Sequence, residues 1–82
     1  MPDAMTLDEA AKIFPPIWTI YDRPEDHPEH VIVRMWFGLV PHPEAGRVAT
    51  IEEARRLIRM AGGSVCLPRG DDDAPCIVES WL

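Results

Sequence analysis

The chain has 82 residues, 46% of them apolar, and a formal charge of −6 from 14 acidic and 8 basic side chains, all but one of the latter Arg. A domain this small buries only roughly 60% of its unfolded surface, which leaves room for one core layer and little for a deep enzyme cleft. No apolar run approaches the ~20 residues of a membrane span, and the acidic balance disfavours nucleic acid and anionic membrane while suiting a basic protein partner.

The stretch from Met1 to Lys12 lacks the basic start and apolar body of a secretory signal, so the cytoplasm is the expected compartment. Thr6 and Glu9 form a capping-box pattern that opens a short helix, and Leu7, Ala10, Ala11 and Phe14 give it one apolar face. Pro15-Pro16 stops it. Ile17 to Tyr21 is rich in β-branched and aromatic residues and reads as a strand. Asp22 to His30 is a polar connection, in which Pro24 and Pro28 favour extended geometry at the residues before them. Val31 to Phe37 is a second strand, expected to be antiparallel to the first, and Gly38 to Val48 reads as a loop carrying Pro41, Pro43 and Gly46.

Thr50 and Glu53 form a second capping box. The helix they start is predicted to run to about Ala61, with Ile51, Ala54, Leu57, Ile58 and Ala61 on its apolar face, Arg55, Arg56 and Arg59 opposite, and Gly62-Gly63 at its end. Val65 to Leu67 is a short strand, Pro68 to Pro75 an acidic turn, and Cys76 to Leu82 a last strand. The prediction is therefore a single α+β domain over 1–82, with 1–16 as an N-terminal helical extension. Its sheet is mostly antiparallel and four-stranded, carries two helices on one face, and follows the order α-β-β-α-β-β.

The strands at 31–37 and 76–82 each set one charge among apolar residues, two positions before a Trp: Arg34 before Trp36, and Glu79 before Trp81. Alternation places Arg34 beside Ile32 and Trp36, and Glu79 beside Ile77 and Trp81. A charge in such company needs a partner, inside the fold or outside it.

The run Trp18-Thr19-Ile20-Tyr21-Asp22-Arg23-Pro24-Glu25-Asp26-His27-Pro28, with Val31, Val33, Arg34 and Trp36 after it, resembles an uncharacterised family of short bacterial proteins. Their pattern opens W-T-I-Y-D-x-P-x-D-x-P, continues V-x-R-x-W, and finishes D-D-P-x-I-V-E-x-W-[IL]. Asp72 to Leu82 is similar to that finish, with Ala74 interrupting the Asp-Pro step. The resemblance covers Trp18 to Leu82 and implies no activity, cofactor or catalytic residue.

If the two long strands are neighbours, Arg34, Trp36, Glu79 and Trp81 share one face as an interface patch, since Trp and Arg are the usual hot spots. An internal salt bridge is the competing reading. His27 and His30, with Asp22 and Asp26, are weak candidates for a divalent metal, because their spacing matches no recognised site. Asp71-Asp72-Asp73 lacks the spaced ligands of a calcium loop and reads as a turn. Arg55 and Arg56 are explained by Glu52 three and four positions back. Cys66 and Cys76 could bridge if they faced each other across a hairpin, but in a reducing cytoplasm they are expected to be free, buried core thiols. Ser64 and Ser80 have no nucleophile elbow around them, and Gly62-Gly63 is a helix end rather than a phosphate loop. Glu79 to Leu82 would suit a carboxylate-capturing domain if free, but reads as a strand.

With no cofactor expected, the leading expectation is a non-enzymatic acidic protein-binding module, an adaptor or inhibitor. The alternatives are a small metal- or ligand-binding enzyme built on the 22–30 loop, and a structural protein that self-associates as a homodimer through an uncovered face or edge strand.

Overall fold

A computed structural model describes residues 5–71 and 73–82. Asp72, the middle of the acidic run, lies outside the described residues, as do the first four residues of the stretch read for a signal. The elements are α1 (Leu7–Ile13), β1 (Pro16–Asp22), β2 (Val31–Phe37), β3 (Val40–Pro41), β4 (Gly46–Val48), α2 (Ile51–Ala61), β5 (Cys66–Pro68) and β6 (Ile77–Trp81). The α+β class, the two helices and the antiparallel sheet agree with the expectation. The count of four strands does not: the sheet has six, and the chain order is α-β-β-β-β-α-β-β. The two additional strands lie in the segment read as a loop. They are too short to show alternation, and their Pro and Gly mask them as loop.

The strand order is β3-β2-β1-β6-β5, with β4 also pairing with β2. All pairings are antiparallel. Thus β3 and β4 divide one edge of β2 between them, β3 at Trp36 and Phe37 and β4 at Val31 to Val33. β1 occupies the centre because it is apolar on both faces. Trp18 and Ile20 point to one side, and Ile17, Thr19 and Tyr21 to the other.

α2 packs over the side that carries Trp18 and Ile20. The core cluster comprises Trp18, Ile20, Val31, Val33, Ala54, Ile58 and Trp81, with Met35, Val48, Ile51 and Val78 packed around it. On the helix, Ala54 and Ile58 are fully buried, whereas Leu57 and Ala61, placed by periodicity on the same face, are exposed. Thr50 caps α2 by accepting from the Glu53 N–H at 3.1 Å. Gly62 ends it in the left-handed region at φ 112°, donating to the Ile58 and Arg59 carbonyls. Gly63 then passes so close to Ile58 that a Cβ there would overlap the Ile58 methyl, and this lets the chain turn under Trp18 into β5.

α1 has its full capping box: Thr6 Oγ1 accepts from the Glu9 N–H at 3.2 Å and Glu9 reaches back. It packs against β2 and β3, with Ala10 fully buried and the Phe14 ring over Gly38. A bulge shifts the β1–β6 register between Ile20 and Tyr21, so that Glu79 opposes Ile20 while Ile77 opposes Tyr21. Ile77 is thereby turned off the Glu79 face, and Val78 packs on the core instead. No helix among the described residues is long and apolar enough to cross a membrane.

Candidate functional site

The two charge-and-Trp strands are not neighbours, because β1 runs between β2 and β6. The condition for a shared patch of Arg34, Trp36, Glu79 and Trp81 is therefore not met. Register places Glu79 and Trp81 opposite Ile20 and Trp18, on the α2 face. It places Arg34 and Trp36 opposite Thr19 and Ile17, on the far face.

On the α2 face, Glu79 is 6% exposed and fully partnered. Arg55 donates to it twice, Nε to Oε2 at 3.0 Å and Nη2 to Oε1 at 2.8 Å. The Trp81 indole N–H donates to Oε2 at 2.6 Å. The Arg55 hydrogen bond, helped by that from Trp81, holds the Glu79 carboxyl below the usual carboxylate range against the opposing effect of burial. Arg59 stacks its guanidinium 5.4 Å from the centroid of the Trp81 ring. Arg55 and Arg59 thus face β6, not the solvated side of the helix that periodicity assigns them. Nothing in the sequence links Arg55 to a carboxylate 24 positions away.

Cys66 flanks this cluster on β5, opposite Trp81. Partial desolvation, with the neighbouring Glu79 carboxylate, pushes its thiol up. Both cysteines are free, and neither is a buried core residue: Cys66 is exposed and Cys76 half-buried. They do not face each other, because Cys66 pairs with Trp81 whereas the Cys76 carbonyl accepts from the Asp22 N–H at 2.7 Å.

On the far face, Arg34, Thr19, Ser80 and Leu67 form one row across β2, β1, β6 and β5. The Thr19 and Ser80 hydroxyls lie 3.4 Å apart. Ile17 and Trp36 flank the row on one side, Tyr21 and Ile32 on the other. Among the described residues the Arg34 guanidinium has a single partner, the His42 carbonyl, to which Nη1 donates at 2.6 Å. No carboxylate of the described residues lies within salt-bridge reach of it.

Arg34 and His27 stand between two adjoining clefts. One, of about 220 Å³, is walled by Tyr21, Ile32, Pro24, Asp26 and Cys76. The other, of about 390 Å³, is walled by Pro43, Glu44, Ala45 and Arg47. No helix residue lines either. Sequence reading singles out Arg34 and His27 but misses Tyr21 and Arg47, which only the register of β1 and β4 on β2 brings near them.

The weak metal candidates do not gather into one set. His27 Nε2 lies 3.8 Å from Asp26, Asp22 lies 3.7 Å from Arg23, and His30 is exposed. Among the described residues no three His, Cys, Asp or Glu side chains are grouped to hold a metal ion. Asp73 closes its own turn, accepting from the Gly70 N–H at 2.8 Å. No family model, curated protein or solved structure matches this chain.

Proposed function

We propose that the chain is a small protein-binding module whose contact surface is the far face of the sheet. One observation carries the reading. Beside the row from Arg34 to Leu67, on the same face, Val65 and Leu82 pair by backbone hydrogen bonds, and Leu67, Val65 and Leu82 are 40%, 49% and 42% exposed. Large apolar side chains gathered on one face around an Arg and a half-buried Trp have the composition of an interface centre. The reading retains Arg34 and Trp36 as contact residues. It assigns Glu79 and Trp81 to the internal cluster.

The test is co-purification with the tagged protein and with its Arg34→Ala/Trp36→Ala variant, with circular dichroism checking that the variant folds. A protein retained by wild type and lost by the folded variant supports the module. Equal retention by both removes Arg34 and Trp36 from the contact surface.

A second reading has its own observation. β5 is the last strand of the sheet, all of its residues are exposed, and its outer edge has no partner among the described residues. Such an edge favours strand pairing with a second copy. Light scattering across a hundredfold dilution checks it; a constant monomer mass discards it.

A further inference from the structure

Only two arginines among the described residues are half-buried, Arg34 and Arg55. Arg55 has its carboxylate in Glu79, held by two parallel N–H···O bonds. Arg34 has a backbone carbonyl and no carboxylate. That carbonyl tethers one end of the guanidinium, and its other nitrogens are not buried, since no buried side-chain nitrogen is left without a partner, while Arg34 lines both clefts. A fork tethered in this way is preorganised for a planar, two-oxygen acceptor.

Resting on the protein-binding reading, we propose that this twin cleft receives a carboxylate side chain from an acidic segment of the partner. The carboxylate takes the free edge of Arg34, with Arg47 and His27 beside it. Tyr21, Ile32 and Pro24 pack the neighbouring apolar residue. The other charges at the walls narrow the choice. Asp26 is turned to His27 and Glu44 stands on the wall of the wider cleft, so a dianionic phosphate or a polyanion meets more repulsion there than a single carboxylate does. The narrower cleft, about 220 Å³, falls below the ~300–1,000 Å³ of a drug-sized site and the wider, about 390 Å³, lies at its lower end, and both adjoin the face bearing Leu67 and Leu82. A peptide continuing along that face fits better than a free metabolite.

The net charge of −6 does not oppose this. At physiological ionic strength exposed charges are screened beyond about 8 Å, so the groups lining the cleft decide.

The experiment selects random peptides on the full-length chain. Each selected peptide is then titrated beside its counterpart with Asp changed to Asn or Glu to Gln, followed by amide and Arg Nε–Hε NMR signals. The expected result is peptides sharing an acidic residue, weakened about tenfold or more by the amide change, with the largest shifts at Arg34. Arg34→Ala should lose as much affinity and abolish the difference between acid and amide. Should that variant not fold, the amide change on the wild-type protein and the exposed Arg47→Ala substitution still test the site. Peptides indifferent to the amide change, yet weakened by Trp36→Ala, overturn the carboxylate anchor and leave the module standing. No selected peptide, with Arg34 shifted by millimolar acetate or inorganic phosphate, overturns both in favour of a small-anion site. No binding by any probe overturns both outright.

Discussion

The two faces of the sheet solve one chemical problem in opposite ways. Each carries a charge two residues before a Trp, on β6 and on β2. On the α2 face, the helix brings Arg55 and Arg59 down on Glu79 and Trp81, and the Glu79 carboxylate and the Trp81 indole N–H are engaged within the chain. On the far face no helix side chain reaches Arg34, and its charge is left uncompensated among the described residues. The same local pattern is thus a structural clamp in one place and an available anchor in the other. The difference comes from what packs above the strand, not from the strand.

The sharpest way to break that comparison is to truncate each Trp. Trp81, 5% exposed, sits in the core cluster, so Trp81→Ala should cost about 4 kcal/mol. Trp36 is only half-buried on the far face, and Trp36→Ala should cost about 1 kcal/mol. Urea denaturation measures both. Equal losses would mean that the far face is part of the core.

The charges come next. Glu79→Ala leaves Arg55 and the Trp81 indole N–H without their acceptor. It should cost about 3 kcal/mol, near the lower end for a broken buried pair, because Arg55 is half-exposed and regains water. Arg34→Ala should change stability by no more than about 0.5–1 kcal/mol, since only the contact with the His42 carbonyl goes. A large loss for Arg34→Ala would return it to a structural role and remove the argument for the cleft.

The pH dependence of the clamp has a definite sign. Folding lowers the Glu79 value, chiefly through Arg55. Its contribution is therefore complete above the unfolded-state value of about 4.3 and is lost as pH falls through the lower, folded value. Glu79→Gln should be less stable than wild type at pH 7 and have a shallower acid limb, with the two curves converging at low pH. Parallel curves would mean that the pair contributes nothing that titration can remove.

What the sequence made legible follows the same division. Both helices were readable from their Thr caps, although only α1 completes its capping box: at α2 the Glu53 carboxylate accepts from the Ala49 N–H and not from Thr50. So was β2, whose run from Val31 to Phe37 coincides with the prediction, because its apolar residues are consecutive and its ends are marked by His30 and Gly38. Arg34 stood out for its company. Its lack of a carboxylate could not be read, because the sheet order that separates β2 from β6 is decided by long-range pairing. The bulge at Val78 was equally hidden, since strict alternation assigns Ile77 to the Glu79 face. β3 and β4 escaped because strands that short have no period. The exposure of Cys66 was missed because an apolar run at a sheet edge looks the same as one at its centre.

Cys66 offers the finest probe of the clamp, because it is exposed on β5 opposite Trp81, beside the Glu79 carboxylate. An exposed thiol normally alkylates at a rate set by its thiolate fraction. Here partial desolvation and the Glu79 carboxylate both favour the protonated form, while Arg55 and Arg59 pull the other way. In a Cys76→Ser background, iodoacetamide should modify Cys66 more slowly than a cysteine in a flexible peptide at pH 7.5, with its rate–pH curve displaced upward. Glu79→Gln removes the carboxylate but not the desolvation, so the curve should move back only part of the way. An unmoved curve would show that Cys66 does not sense Glu79. That would confine the clamp to Arg55, Glu79 and Trp81, with β5 pairing beside it rather than joining it.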